Sequence, residues 1–238
     1  MLWTVLQGGI SSIYSFLFLL FGYLVLLFVM MPVHEAAHAW IAVKLGDGTP
    51  RWYGRLTLNP LAHLDPLGSL MIVLFGIGYA KPVPVNPHNF QNRRRGMALT
   101  ALAGPVSNLL MAFLSVGVYA VLYRICQNHI VTASTYENIE LWVNVLTWSS
   151  LILIHVLAAV NISLAVFNLL PLPPLDGSRI FGAILPPKWS YWMDCYHQYV
   201  RMAVLLLVVT GVLDGPLHFL QTLVGNGMCA MFRLPNLF

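Results

Sequence analysis

Charge is what this sequence has least of. Lys, Arg, Asp and Glu make up 8% of its 238 residues, against roughly 25% in an ordinary soluble domain, and the mean hydropathy is +0.76. That composition excludes a soluble globule and implies a membrane protein. Cysteine is scarce too: Cys126, Cys195 and Cys229 lie far apart and form no CxxC pair, which excludes a disulfide framework and a zinc ribbon. Residues 1 to 12 hold no Lys or Arg, and no small-residue cleavage site ends the first apolar run, so it is expected to be a retained helix and not a signal peptide. The net charge of +4 is carried by residues between apolar runs and comes with no nucleic-acid motif. There is no internal repeat, no low-complexity tract and no soluble block long enough for a core of its own, so residues 1–238 are expected to form one domain.

What is present is a series of long apolar runs. Candidate spans are about Tyr14 to Leu45, Met97 to Tyr123, Trp142 to Leu170 and Arg201 to Val224, each long enough for the ~20 residues that cross a bilayer as a helix. The first would be ~48 Å long at 1.5 Å per residue against a ~30 Å hydrocarbon core, so it must tilt, protrude or bend at Pro32. Leu67 to Tyr79 is too short to span, contains Gly68, Gly76 and Gly78, and runs into KPVPVNP, whose prolines forbid a helix interior. These features predict an all-α polytopic membrane protein with about four to six transmembrane helices and a re-entrant hairpin between the first two long spans. With that topology Lys44, Arg51, Arg55, Lys81, Arg93, Arg94, Arg95, Arg179, Lys188 and Arg201 share one side, and Arg124 and Arg233 the other. The positive-inside rule makes the first side cytosolic.

Against that background MPVHEAAHAW, residues 31 to 40, is expensive. His34 and His38 are four apart, so on a helix they stand on one face with Glu35 beside them. Such spacing offers two imidazoles to one zinc ion and leaves a carboxylate free to take a proton from water. Eight histidines and three glutamates in the chain give an expected HExxH count of about 0.003 by composition alone, so chance explains it poorly. The bland alternative is a buried hydrogen-bonded cluster without metal.

A catalytic zinc usually has three protein ligands and an open position. Two aspartates stay in play for the third, Asp65 in NPLAHLDPLG and Asp176 in FNLLPLPPLDG. The second context is the more telling, because Pro171, Pro173 and Pro174 halt an apolar span close to the membrane face. Non-helical backbone at that depth is tolerated only where it is buried in protein or lines a water-filled cavity.

HEAAH at 34 to 38, together with Asn168-Leu-Leu-Pro171-Leu-Pro-Pro-Leu-Asp176-Gly177, resembles the site-2 protease family of intramembrane zinc metalloproteases. GPVSN at 104 to 108, GYAKPVPVNP at 78 to 87 and GRLTLNPLAHLDPLGS at 54 to 69 support the likeness, which runs from Met31 to about Leu185. The resemblance implies one zinc per chain bound by His34, His38 and Asp176, with Glu35 as general base. It also implies that Asn168 serves substrate binding or oxyanion stabilisation, and offers Asn108 as a further residue lining the site. The substrate it implies is a transmembrane protein, cut within the cell membrane near its cytosolic face. The accessory PDZ or CBS domains usual in the family are missing from the sequence, so this looks like a minimal form. A different class, a non-proteolytic membrane transporter for metal or protons, uses similar buried groups, but it needs no glutamate between two helical ligands.

Other features have plainer readings. His155, in the middle of an apolar run, is expected either to line a water path or to hydrogen-bond a neighbouring helix. Arg93, Arg94 and Arg95 are expected to set topology and meet anionic lipid, and GPVSN to be a small-residue packing face.

Overall fold

The computed structural model describes residues 20–75, 80–130 and 137–238, and every regular element among them is a helix. In chain order these are α1 (Leu20–Lys44), the short α2 (Thr49–Trp52) and α3 (Pro60–His63), then α4 (Pro66–Phe75), α5 (Arg93–Ile130) and α6 (Glu137–Asn168). They are followed by α7 (Asp176–Ile184), α8 (Pro187–Val209) and α9 (Asp214–Met231). The stretches Leu20–Lys44, Arg93–Gln127 and Ser149–Asn168 are long and apolar enough to cross a bilayer. The protein is therefore an all-α polytopic membrane protein, as its composition requires.

Two features refine the sequence expectation, each for a local reason. The predicted span Arg201 to Val224 is not one rod: Gln198–Val209 and Asp214–Met231 meet at 79°, so the described residues hold three candidate spans, or four if the bent pair counts as one. Gly211 takes the left-handed conformation, φ +71°, that ends a helix without the penalty a Cβ would bring, and Pro216 sits in the first turn of α9, where its missing N–H is not needed. The first helix, expected to tilt, protrude or bend at Pro32, runs from Leu20 to Lys44 with a π-turn at Leu26–Met30, where the Met31 amide donates to the Leu26 carbonyl. A proline cannot donate to the carbonyl four residues back and its ring crowds it, and the wider turn absorbs both defects.

Of the expected re-entrant hairpin, α4 is the helical arm. Residues 76–79 lie outside the described residues, and 80–86 carry no regular structure before a 3-10 turn at Pro87–Asn89. The segment is tied down at both ends. The Lys81 amide donates to the His63 carbonyl at 2.9 Å and the Asn86 amide to Asp47 Oδ2 at 2.7 Å.

The bundle is built around α5, which packs on α1, α6 and α7. Its two faces divide the work. Asn108, Ala112, Val116 and Ala120, four apart, are buried, while Leu110, Leu114, Val118, Val121 and Ile125 are exposed, an apolar stripe that suits lipid. Small side chains on the buried face let α6 come close through Ala158, Ile162 and Val166, which is how helices associate where lipid removes the hydrophobic drive. The final residues fold back into this seam. Phe238 exchanges two hydrogen bonds with the Asn226 side chain, at 3.0 and 3.2 Å, and lies over the His155 ring at 4.8 Å, so His155 meets an aromatic ring of the chain's own end.

Candidate metal centre

The histidine pair sits on the second half of α1, one turn apart. The rings meet edge to face with centroids 4.6 Å apart, and both side chains are buried. Their Nε2 atoms are 3.0 Å apart, and Asp176 Oδ2 stands 3.2 Å from each. No other group of three or more potential ligand side chains converges among the described residues.

Asp176 reaches this point because α6 stops at Asn168. The chain then passes through a turn in which the Leu172 amide bonds Leu170 O and the Leu175 amide bonds Leu172 O, and α7 starts with Asp176 in its first turn. Gly177 makes the junction feasible: a Cβ there would collide with the carbonyl oxygens of Leu169 and Leu170. At the other end of α7, Arg94 of α5 donates to Gly182 O at 3.2 Å and Leu185 O at 2.9 Å, a cation placed where the helix dipole welcomes one.

The back of each imidazole is held by α5. Nδ1 of His38 lies 2.7 Å from the Thr100 carbonyl, an oxygen that can only accept, so the proton is on Nδ1 and Nε2 offers its lone pair to the front. Nδ1 of His34 lies 3.1 Å from the side-chain amide of Asn108, which is fully buried. Between these two contacts is Gly104. A Cβ there would overlap Nε2 of both histidines, so α5 presents bare backbone to the two imidazoles. Thr100, Gly104 and Asn108 are thus one four-residue-spaced line on α5, antiparallel to His38 and His34.

The donor set fits zinc. Two neutral imidazole nitrogens and one carboxylate oxygen are its ordinary ligands, and tetrahedral bonds of about 2.0–2.1 Å put ligand atoms about 3.3 Å apart, close to the 3.0 and 3.2 Å found here. The space a Cβ at Gly104 would fill, and the orientation of both rings from behind, are what a metal in front of them requires.

Of the remaining predicted residues, Glu35 is half-buried on α1 beside the pair and makes no hydrogen bond among the described residues. Asn168, at the end of α6, donates from Nδ2 to Leu164 O at 3.0 Å and makes no hydrogen bond to either histidine. Asp65 caps α4, its Oδ1 accepting from the Gly68 amide at 2.9 Å, and so does the work of a turn residue away from the centre. Sequence reasoning missed Asp47. This buried carboxylate accepts from the Thr49 amide and hydroxyl, the Asn86 amide and the Asn89 side chain. Burial disfavours its charge, but these donors outweigh that and hold its pKa below the usual carboxylate range.

The sequence model of peptidase family M50 matches residues 22–208. A Bacillus subtilis protein, YwhC, whose name carries the words zinc metalloprotease, is 38% identical over 194 residues, covering 80% of this chain and 82% of its own length. The Mycolicibacterium smegmatis protein Rip2, with the same words in its name, is 29% identical over 188 residues, 76% of this chain and 64% of its own length. No solved structure matches the chain.

Proposed function

The chain belongs to peptidase family M50, and on that premise we propose that it is a zinc-dependent intramembrane endopeptidase, a single domain holding one zinc ion per chain. It hydrolyses peptide bonds in or near transmembrane segments of membrane-protein substrates. The observation that carries the reading is the convergence of His34 Nε2, His38 Nε2 and Asp176 Oδ2 within 3.2 Å of one another, beside a helix that bares its backbone to both imidazoles.

His34, His38 and Asp176 are the ligands. The chemistry such an ion supplies is Lewis acidity toward the attacking water and the scissile carbonyl. Glu35 stands beside the histidine pair without a hydrogen bond among the described residues, so its carboxylate is free to accept the proton of the attacking water and hand it to the leaving amine; such acid–base work is worth about 10²–10⁴ in rate. Asn168, at the mouth of the broken segment, is assigned to the substrate backbone or the developing oxyanion. The side bearing ten of the twelve Lys and Arg residues is the cytosolic side of the cell membrane, and the centre lies near it.

A helical substrate must unwind before its peptide bonds are accessible. Segment 80–86 suits the unwound strand. Pro82 and Pro84 remove alternate donors, and the amides of Val83 and Val85 find no acceptor among the described residues, which leaves one edge able to pair with an extended chain.

The test is Glu35→Gln in the full chain. A protease keeps its zinc, loses turnover and accumulates uncleaved membrane proteins that can be trapped and identified. A transporter built from the same groups shows altered ion flux and no trapped substrate, and that result would overturn the proposal.

A further inference from the structure

We infer that Asn108 is the positioning residue of His34: its side-chain carbonyl accepts the Nδ1 proton and so fixes the ring with Nε2 toward the metal. The inference rests on reading the site as a zinc centre and adds to it a residue whose task is the tautomer of one ligand.

Two facts about one side chain carry it. Nδ2 of Asn108 lies 3.1 Å from His34 Nδ1, while Oδ1 of the same amide is buried with no partner among the described residues. An amide N–H facing Nδ1 requires a lone pair there, which moves the imidazole proton to Nε2. That nitrogen would then present a proton, not a lone pair, at the point where His38 Nε2 and Asp176 Oδ2 converge at 3.0 and 3.2 Å. The two ends of an amide have nearly the same shape, and the hydrogen-bond network decides between them. A half-turn of the amide puts Oδ1 against Nδ1–H, gives the orphaned oxygen a donor, and frees Nε2.

The second histidine shows the same design with a different part. His38 Nδ1 donates to the Thr100 carbonyl at 2.7 Å, a backbone acceptor that any residue at 100 supplies. His34 lies two turns further along α5, level with Asn108, and there a side chain makes the contact. The acceptor for His34 is therefore written into the sequence at position 108, whereas that for His38 is written into the helix.

The experiment uses the purified full chain in detergent, with zinc affinity measured by competition against a chromophoric chelator and the visible spectrum of the cobalt-substituted protein as a second readout. Asn108→Leu keeps the bulk and removes the acceptor. Asn108→Asp keeps the shape and can only accept, as in carboxylate–histidine–zinc arrangements. The expected result is a ~10–100-fold loss of affinity for the leucine variant with a changed cobalt spectrum, and affinity and spectrum close to those of the unsubstituted chain for the aspartate variant. Equal losses in both variants, or no loss with leucine, would overturn the assignment in favour of plain packing. If the leucine variant does not fold, the aspartate variant decides alone: retained zinc with an unchanged spectrum supports the assignment and a tenfold loss removes it. If the unsubstituted chain binds no zinc, the metalloprotease reading falls and this inference falls with it.

Discussion

The three proposed ligands reach one point by two different constructions. His34 and His38 ride on a continuous helix, and a second helix backs each ring, so both are set by the packing of α1 against α5. Asp176 arrives on a segment where the helix has been stopped, re-turned and restarted, held by a close backbone approach at Gly177 and by Arg94 at the far end of α7. A helix pair fixes side chains through many small contacts, while a broken segment relies on a few. The histidine half should therefore resist remote changes and fail abruptly when its seam is filled, and the aspartate half should yield in steps.

The sharpest way to break the comparison is to put a Cβ into each half. Gly104→Ala drives a methyl group into both imidazoles, where neither ring can retreat without losing its contact on α5. Overpacking of this kind reaches about 3 kcal/mol, so zinc affinity should drop by more than about 100-fold, with helix content by circular dichroism preserved. Gly177→Ala meets main-chain carbonyls instead and displaces only the carrier of Asp176. The two-histidine face survives, and a ~10–100-fold loss of affinity is expected. Equal effects of the two substitutions would erase the distinction between the halves.

A weaker lever acts on the aspartate half alone. Arg94→Gln removes charged donors from two carbonyls at the exposed end of α7. Hydrogen bonds of this sort contribute about 0.5–1.5 kcal/mol each, and less in contact with water, so a two- to tenfold loss of zinc affinity is expected. The loss should vanish in an Asp176→Ala background, because the arginine acts through that side chain; measuring both variants by chelator competition checks the coupling. An undiminished loss in that background would mean that Arg94 serves the histidine half as well.

What could be read from sequence follows the same division. His34, Glu35 and His38 were legible because helical spacing puts them together whatever else the chain does. Asp176 was legible because the prolines around it announce that a span stops. The support on α5 was harder to see: Thr100 contributes a carbonyl, which has no letter of its own, and Gly104 contributes the lack of a side chain. Of this line only GPVSN at 104 to 108 was a signal: it was read as a packing face and as support for the family resemblance, with Asn108 lining the site, while Thr100 gave none. The 79° bend between α8 and α9 escaped for another reason. Hydropathy averaged over a window sees one apolar run from Arg201, and the turn is carried by Gly211 and Pro216 alone. Asp47 showed no pattern because half its donors are backbone amides, brought to it from 39 residues away in the case of Asn86.

Asp47 also offers the mildest test, outside both halves. Its carboxylate joins the loop after α1 to the start of the 3-10 turn that follows segment 80–86, so it braces the proposed substrate edge without touching a ligand. Asp47→Asn leaves one acceptor oxygen where two served the donors from Thr49, Asn86 and Asn89, and turns an N–H against one of them. A loss of about 1–3 kcal/mol in stability is expected near neutral pH, with zinc affinity unchanged. The pH dependence has a definite sign. A carboxylate whose pKa is lower in the folded protein than its ordinary value of about 3.9 stabilises the fold above that value, and the contribution is lost as pH falls through the folded-state pKa. Thermal unfolding of the chelated protein should therefore separate the two chains most at pH 6 to 7 and bring them together below about pH 4. A gap that stays constant to acid pH would show that Asp47 acts by shape and not by charge. A fall in zinc affinity would show that the histidine half leans on this loop, and that its stability is not the property of the helix pair alone.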